Sequence, residues 1–200
     1  MSDNTKLIYG DRIIFLEGKK TILRPFRKDE VGILQRWIND PQIRGFLPAT
    51  FPMTIENEIE WLEKANIPGK KVHLAIVIKE SDTLIGSMAL ENINWIDGTA
   101  VTGTLIGEKE SQGKGFGTDA KMQLLKYAFD TLNLRKIKSC VLSYNERSLK
   151  YALKCGYREE GRLQREHFRD GKYWDLIQLA AFREWWEPYY NAHAQIRIAS

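Results

Sequence analysis

The sequence predicts one α/β (α+β) domain built on a single mixed β-sheet. Three observations predict it. Short β-like runs separated by turn residues fill the middle of the chain at the spacing of consecutive hairpins. Single amphipathic helices separate the later strands, as crossovers do. At 200 residues, 43% hydrophobic and 28% charged, the chain has the apolar content for one sizeable core.

Each element follows from local sequence. Ile13 to Leu16 and Lys20 to Leu23 flank Glu17-Gly18 and read as a hairpin that Arg24-Pro25 ends. Asp29 caps a helix with Val31, Leu34, Trp37 and Ile38 on one face, stopped by Asn39-Asp40-Pro41. Thr54 and Asn57 form an imperfect capping box for a second helix reaching Ala65, with Ile55, Ile59 and Leu62 at helical spacing. Pro68-Gly69 ends it. Val72 to Ile78, Leu84 to Leu90 and Ala100 to Ile106 are three strands joined at Asp82-Thr83 and through Asn94 to Gly98. A glycine-rich turn then enters a helix, Thr118 to Thr131, with Met122, Leu125, Phe129 and Leu132 along its face. Ile137 to Leu142 is a strand, and Asn145 caps a short helix to Lys154 that Gly156 ends. Tyr157 opens a strand toward Phe168, and Asp170-Gly171 turns it into Tyr173 to Phe182. The expected organisation is an N-terminal extension with a hairpin strand over 1–18, a domain over 19–184 and an aromatic tail over 185–200. In that tail Trp185, Trp186, Tyr189 and Tyr190 close the core or form a homodimer surface.

Composition excludes several classes. The net charge is +4 and the pI near 9.0, but Lys and Arg are interspersed with acids. That pattern favours anionic ligands mildly and is not a nucleic-acid footprint. Cys140 and Cys155 have neither metal spacing nor the number a disulfide framework needs, so reduced thiols are expected. His73 and His193 have no partner pattern, and no metal set is apparent. No run approaches a membrane span, and Met1 to Gly10 lacks the apolar core of a secretion signal. The expected location is the cytoplasm.

The chemistry concentrates at Gln112-Gly113-Lys114-Gly115-Phe116-Gly117. Glycines allow φ > 0 and close approach of a ligand. The free N–H groups of the helix's first turn and its positive dipole end then face a phosphate, with Lys114 as a mobile charge. Gly115-Phe116-Gly117-Thr118-Asp119-Ala120 also satisfies the dinucleotide pattern G-x-G-x-x-A. That reading, a nucleotide-binding oxidoreductase, wants an early βαβ unit and an acidic residue about 20 positions on. Here the turn lies mid-chain, and Lys136, Ile137 and Lys138 stand where the acid belongs. A Walker loop fails for want of Gly-Lys-Ser/Thr.

A second segment narrows the ligand. Asn145-x-x-Ser148 is followed by Lys154-Cys155-Gly156-Tyr157 and Glu159-Glu160-Gly161. With the glycine turn, these residues resemble the GNAT family of acetyl-CoA-dependent N-acetyltransferases, and within it the RimJ/RimL branch and related spermidine acetyltransferases. The family's Q/R-x-x-G-x-G/A loop is matched by Gln112, Gly115 and Gly117. The resemblance runs from Leu23-Arg24-Pro25, through Ile85-Gly86, to Gly171-Lys172-Tyr173-x-Asp175. It implies a central sheet of about seven strands with about four helices, two central strands splayed into an acetyl-CoA slot, and a primary-amine acceptor. The acceptor classes are a protein N-terminus, a polyamine, an amino sugar or an aminoglycoside-like molecule.

The resemblance also implies roles. Gln112, Gly113, Lys114, Gly115, Phe116, Gly117 and Thr118 hold the cofactor's phosphates. Leu105, Ile106 and Gly107 pair by backbone with its pantetheine arm and offer an N–H to the thioester oxygen, a donor able to lower a barrier by about 3–4 kcal/mol. Asn145 bonds the arm as well as capping its helix. Many relatives place a tyrosine four residues before Gly156 to protonate the leaving thiolate, and here that position is Ala152. Tyr151 points about 100° away on a helix. Ser148 takes over assistance of the thiolate. Glu91, Glu166 and His167 are the candidate bases for the amine, with Glu91 preferred and Glu166 second, and a water chain that drains the proton is the alternative to a direct base. Alternation places Glu166 and His167 on opposite faces. Ala152 keeps a non-catalytic acyl-CoA sensor open as the rival class.

Overall fold

The computed structural model describes residues 13–47 and 51–195. Its strands are β1 Leu16–Glu17, β2 Thr21–Arg24, β3 Val72–Ile78, β4 Leu84–Asn94, β5 Thr99–Ile106, β6 Lys136–Leu142, β7 Arg158–Arg169 and β8 Lys172–Phe182. Its helices are α1 Val31–Asn39, α2 Pro41–Arg44, α3 Ile55–Glu63, α4 Phe116–Lys126, α5 Glu146–Lys154 and α6 Arg183–Gln195. The eight strands form one sheet in the order β1-β2-β3-β4-β5-β6-β8-β7. The β5–β6 pair is parallel; all other neighbours are antiparallel. This is the expected mixed sheet with one strand and two helices more than about seven and four.

The differences have local causes. The first hairpin pairs only Leu16 with Leu23 and Glu17 with Ile22, not the run from Ile13. Its turn is anchored from outside: Asp119 on α4 accepts the backbone N–H groups of Lys19, Lys20 and Thr21 at 2.9–3.0 Å. Gly18 sits so close that a Cβ there would lie 2.2 Å from the Asp119 carboxylate. Asp40 both ends α1 and starts α2, accepting the Gln42 N–H at 2.8 Å with Pro41 at the first helical position. The capping box of Thr54 and Asn57 forms reciprocally. The aromatic tail is helical as far as it is described, and it closes the core. Trp186 is 2% exposed, its ring centroid 5.2 Å from that of Phe129.

The sheet has two covered faces. α4, α5 and α6 cover one, where Ile85, Met88, Leu124, Phe129, Ile177 and Trp186 belong to the larger core cluster. α1, α2 and α3 cover the other, with Leu34, Trp37 and Ile43 packed on Ala75, Val77 and Leu84. Ile55, Trp61 and Leu62 lie half-buried on the inner side of α3, but Ile59 is 46% exposed and Glu58 takes the buried position beside it. Among the described residues no helix is long and apolar enough to cross a membrane.

Candidate active site

The site begins where β5 and β6 part. Their pairing covers Thr99 to Val101 against Lys136 to Lys138. One residue further, Ser139 Oγ still donates to the Thr102 carbonyl at 3.3 Å. Beyond that β5 stays with β4 and β6 with β8. The edges of residues 103–106 and 139–142 are therefore splayed, and the slot lies between them.

Only alternate residues of β5 offer their backbone to that slot. The Gly107 N–H donates to Ile85 on β4 at 2.9 Å. By strand alternation Leu105 and Gly107 face β4, while Thr104 and Ile106 face the slot. The backbone of Leu105 and Gly107 is thus turned to β4 and away from the slot, and that of Thr104 and Ile106 is turned toward it. The glycine at 107 answers to packing instead, because a Cβ would lie 2.1 Å from the Trp37 ring. The sequence carried this signal only in the strand period, which the spacing of β4 and β5 fixes.

The glycine turn closes the slot's wide end. Gly113 and Gly115 have φ of 75° and 86°, values that L side chains rarely adopt. α4 starts at Phe116, two residues before its expected start, with Gly115 as its cap. The first backbone bond into the helix is the Asp119 N–H to the Gly115 carbonyl, 3.0 Å. Among the described residues, no protein acceptor takes the N–H of Gly113, Lys114, Gly115, Phe116, Gly117 or Thr118. Six consecutive unclaimed donors at a helix N-terminus form an anion nest. This donor set fits a diphosphate. Gln112 braces the turn: its amide donates to the Ile106 carbonyl at 2.9 Å and accepts from Arg147 on α5 at 2.5 Å. A cleft of about 300 Å³ beside it is lined by Gln42, Ile43, Phe46, Lys109, Gln112 and Arg147.

α5 forms the opposite wall. Asn145 caps it, its Oδ1 accepting the Ser148 N–H at 3.1 Å. Ser148 is half-buried, and among the described residues its hydroxyl has no bonded partner. Ala152 and Cys155 continue the same buried side. The Tyr151 hydroxyl donates to the Gly117 carbonyl at 3.2 Å and lies 3.1 Å from the Thr104 hydroxyl. Burial raises its pKa well above the ordinary phenol value. Tyr151 therefore ties α5 to β5 and the turn.

The proposed bases separate. Glu91 stands on the α1–α3 side of β4, opposite Val101, level with the last β5–β6 pair. Its carboxylate meets His73 Nε2 at 2.8 Å, and that contact holds its pKa below the usual range. Trp61 packs edge-on against the same imidazole, 5.2 Å between centroids. So His73 does have a partner, which the 18-residue separation hid. Glu166 is exposed on the edge strand β7. Four strand spacings, roughly 19 Å, separate β4 from β7. The β7–β8 register shifts between Leu163 and His167, and Arg165 has φ 52°, so simple alternation fails around Glu166.

The α1–α3 side also has an aromatic wall. Tyr144 lies between Phe46 and Trp174, with centroids 5.8 and 4.7 Å away. Its hydroxyl donates to the Gly45 carbonyl, and Arg169 donates to the Leu47 carbonyl at 2.8 Å. The first bond ties the β6–α5 loop, and the second the β7–β8 hairpin, to the segment just after α2. Burial lifts the Glu58 carboxyl above its ordinary range. Among the described residues, no group of His, Cys, Asp and Glu is arranged to hold a metal.

A slot opened by two splayed parallel strands and closed by an N–H nest has the donors and the shape for a phosphate-bearing ligand with a long arm. Residues 20–158 match the acetyltransferase (GNAT) domain model, and the chain belongs to that family of acetyltransferases. It is 25% identical to the uncharacterized N-acetyltransferase p20 of Bacillus licheniformis over 171 residues, covering 84% of this chain and 96% of that one. It is 34% identical to a spermidine N(1)-acetyltransferase of Vibrio cholerae over 123 residues, 62% of this chain and 70% of the relative. A crystal structure of spermidine N-acetyltransferase from Vibrio cholerae with CoA and spermine superposes with TM-score 0.77 at 25% identity, covering 84% and 98% of the two chains.

Proposed function

We propose that the chain acetylates a primary amine of a small polyamine, with acetyl-CoA as cosubstrate. The observation that carries the reading is the run of six unclaimed N–H groups from Gly113 to Thr118 at the mouth of the β5–β6 slot. The thioester supplies the acetyl group, which a neutral amine takes by direct attack while the CoA thiol leaves.

Each protein group has a task in this scheme. The nest and Lys114 hold the diphosphate. The slot-facing N–H groups of Thr104 and Ile106 align the arm, and one of them donates to the thioester oxygen. Asn145 bonds the arm through its amide N–H₂, its oxygen being committed to the cap. Ser148, with its unclaimed hydroxyl, assists the departing thiolate. A thiol pKa is about 8.5, so the help required is small. Glu91, paired with His73, takes the amine proton. Glu166, exposed and far from Glu91, has no part in this scheme.

Polyamine is favoured by two carboxylates on the α1–α3 side, Glu58 and Glu91, and by the name of the Vibrio cholerae relative. A thiol-release screen with acetyl-CoA against polyamines, peptide N-termini, amino sugars and aminoglycosides tests this. Turnover with spermidine above the other amines supports it; preference for a peptide N-terminus overturns the acceptor. Acetyl-CoA binding with no thiol release on any amine would establish the sensor class instead.

A further inference from the structure

Arg147 stands in the first turn of α5, where a cation opposes the helix dipole. Among the described residues no carboxylate balances it. Its α5 neighbour Glu146 pairs with Lys150, at 3.5 Å. The contact that Arg147 does make is to a neutral group, the Gln112 amide oxygen, at 2.5 Å. Gln112 in turn holds the slot-facing Ile106 carbonyl. One guanidinium therefore reaches from α5 across the slot mouth to β5, through the residue that opens the glycine turn. A guanidinium has five N–H donors in a fixed fork, and the Gln112 bond uses one. The remaining edge borders the cleft it shares with Lys109 and Gln112.

We propose that Arg147 is a cofactor-binding residue with two duties: it holds Gln112, and with it the turn, against β5, and its free edge takes a phosphate oxygen of the cofactor. An unbalanced cation at the wrong end of a helix is what a site for a dianionic group looks like before its charge is counted. The inference rests on the acetyl-CoA reading and adds a residue and a phosphate contact to it.

The test compares acetyl-CoA with acetyl-pantetheine, which keeps the thioester and lacks the nucleotide phosphates. For the wild type, Arg147→Lys and Arg147→Met, the readouts are the ratio of kcat/KM for the two thioesters and the CoA dissociation constant by calorimetry. Thermal melts check folding. Arg147→Met is expected to lower the ratio and weaken CoA binding about tenfold or more, the loss of a charge-assisted hydrogen bond. Arg147→Lys should recover part of the loss, because it restores charge without the fork. Gln112→Leu, which cuts the tether and spares the guanidinium, should lower the ratio less than Arg147→Met does, because it loosens the turn and leaves the phosphate contact. A ratio that falls no further in Arg147→Met than in Gln112→Leu overturns the phosphate contact, leaving only the tether. Wild-type protein that binds no CoA would instead sink the acetyl-CoA reading itself.

Discussion

Lys121 is a buried cation without a counter-charge, and replacing it should stabilise the fold in a pH-dependent way. It faces inward from α4 and is 3% exposed, with its amine 5.8 Å from the Tyr157 ring centroid. Among the described residues no carboxylate pairs with it. Burial pushes its pKa down from 10.5 to about 7, opposed only by the Cys155 thiol. At roughly 1.36 kcal/mol per pH unit, that drop corresponds to about 5 kcal/mol against the charged form. The unfolded lysine keeps its proton up to its ordinary pKa, while the folded one releases it above about 7. Between those limits the unfolded chain binds more protons, so stability rises with pH. Below them both states are charged and the full cost applies. Lys121→Met keeps the length and removes the amine. Its gain over the wild type should be several kcal/mol near pH 6, about 2 kcal/mol near pH 9, and nothing once both states are neutral. Urea midpoints measured across that range give the curve. A gain that does not change with pH, or a loss near pH 6, would refute the reasoning.

Other outcomes follow from the same contacts. Gly115→Ala places a Cβ at φ 86°, and should cost about 1–2 kcal/mol of stability and at least tenfold in CoA affinity by calorimetry. Asp119→Ala removes a buried carboxylate that holds three backbone N–H groups, the Thr21 hydroxyl at 2.7 Å and His193 at 3.0 Å. A loss of about 3–5 kcal/mol is expected in chemical denaturation. Burial raises the Asp119 pKa and these donors more than cancel it, leaving it lowered. Its contribution is therefore present above the ordinary carboxylate pKa and fades as pH falls through the lowered one, visible as acid destabilisation that Asp119→Ala lacks. Glu91→Gln should cut kcat by about 10²–10⁴ and abolish the acidic limb of the pH–rate profile; an unchanged kcat would remove Glu91 from the proton path. Gly107→Ala drives a methyl into the Trp37 ring and should cost about 1–3 kcal/mol, seen as a lowered thermal midpoint.

Most of the fold was legible because its signals are local. Strand alternation, the Thr54 capping box and the Asp170-Gly171 turn, with φ of 51° and 79°, each act within a few residues. The glycine turn was legible for the same reason. What escaped detection depends on contacts far apart in sequence. The Asp119 carboxylate, 98 to 100 residues from its backbone donors, sets the register of the first hairpin. The His73–Glu91 pair spans two strands, and Glu58 is buried by how α3 docks. The assignment of Leu105 and Gly107 to the slot followed a run of residues, whereas backbone facing alternates and was fixed by the β4 pairing. Arg147 carries no local signal, because its contact is with Gln112, 35 residues earlier.

The central claim is acetyl transfer from a thioester held by the Gly113–Thr118 nest to a primary amine. The direct measurement is mass spectrometry of spermidine incubated with the protein and acetyl-CoA, with free thiol counted in the same sample. A monoacetylated amine in equimolar ratio with released CoA is expected, and Gly115→Ala should form both at least tenfold more slowly at limiting acetyl-CoA. Thiol release without acetylated amine, or acetylation that is indifferent to Gly115→Ala, would contradict it.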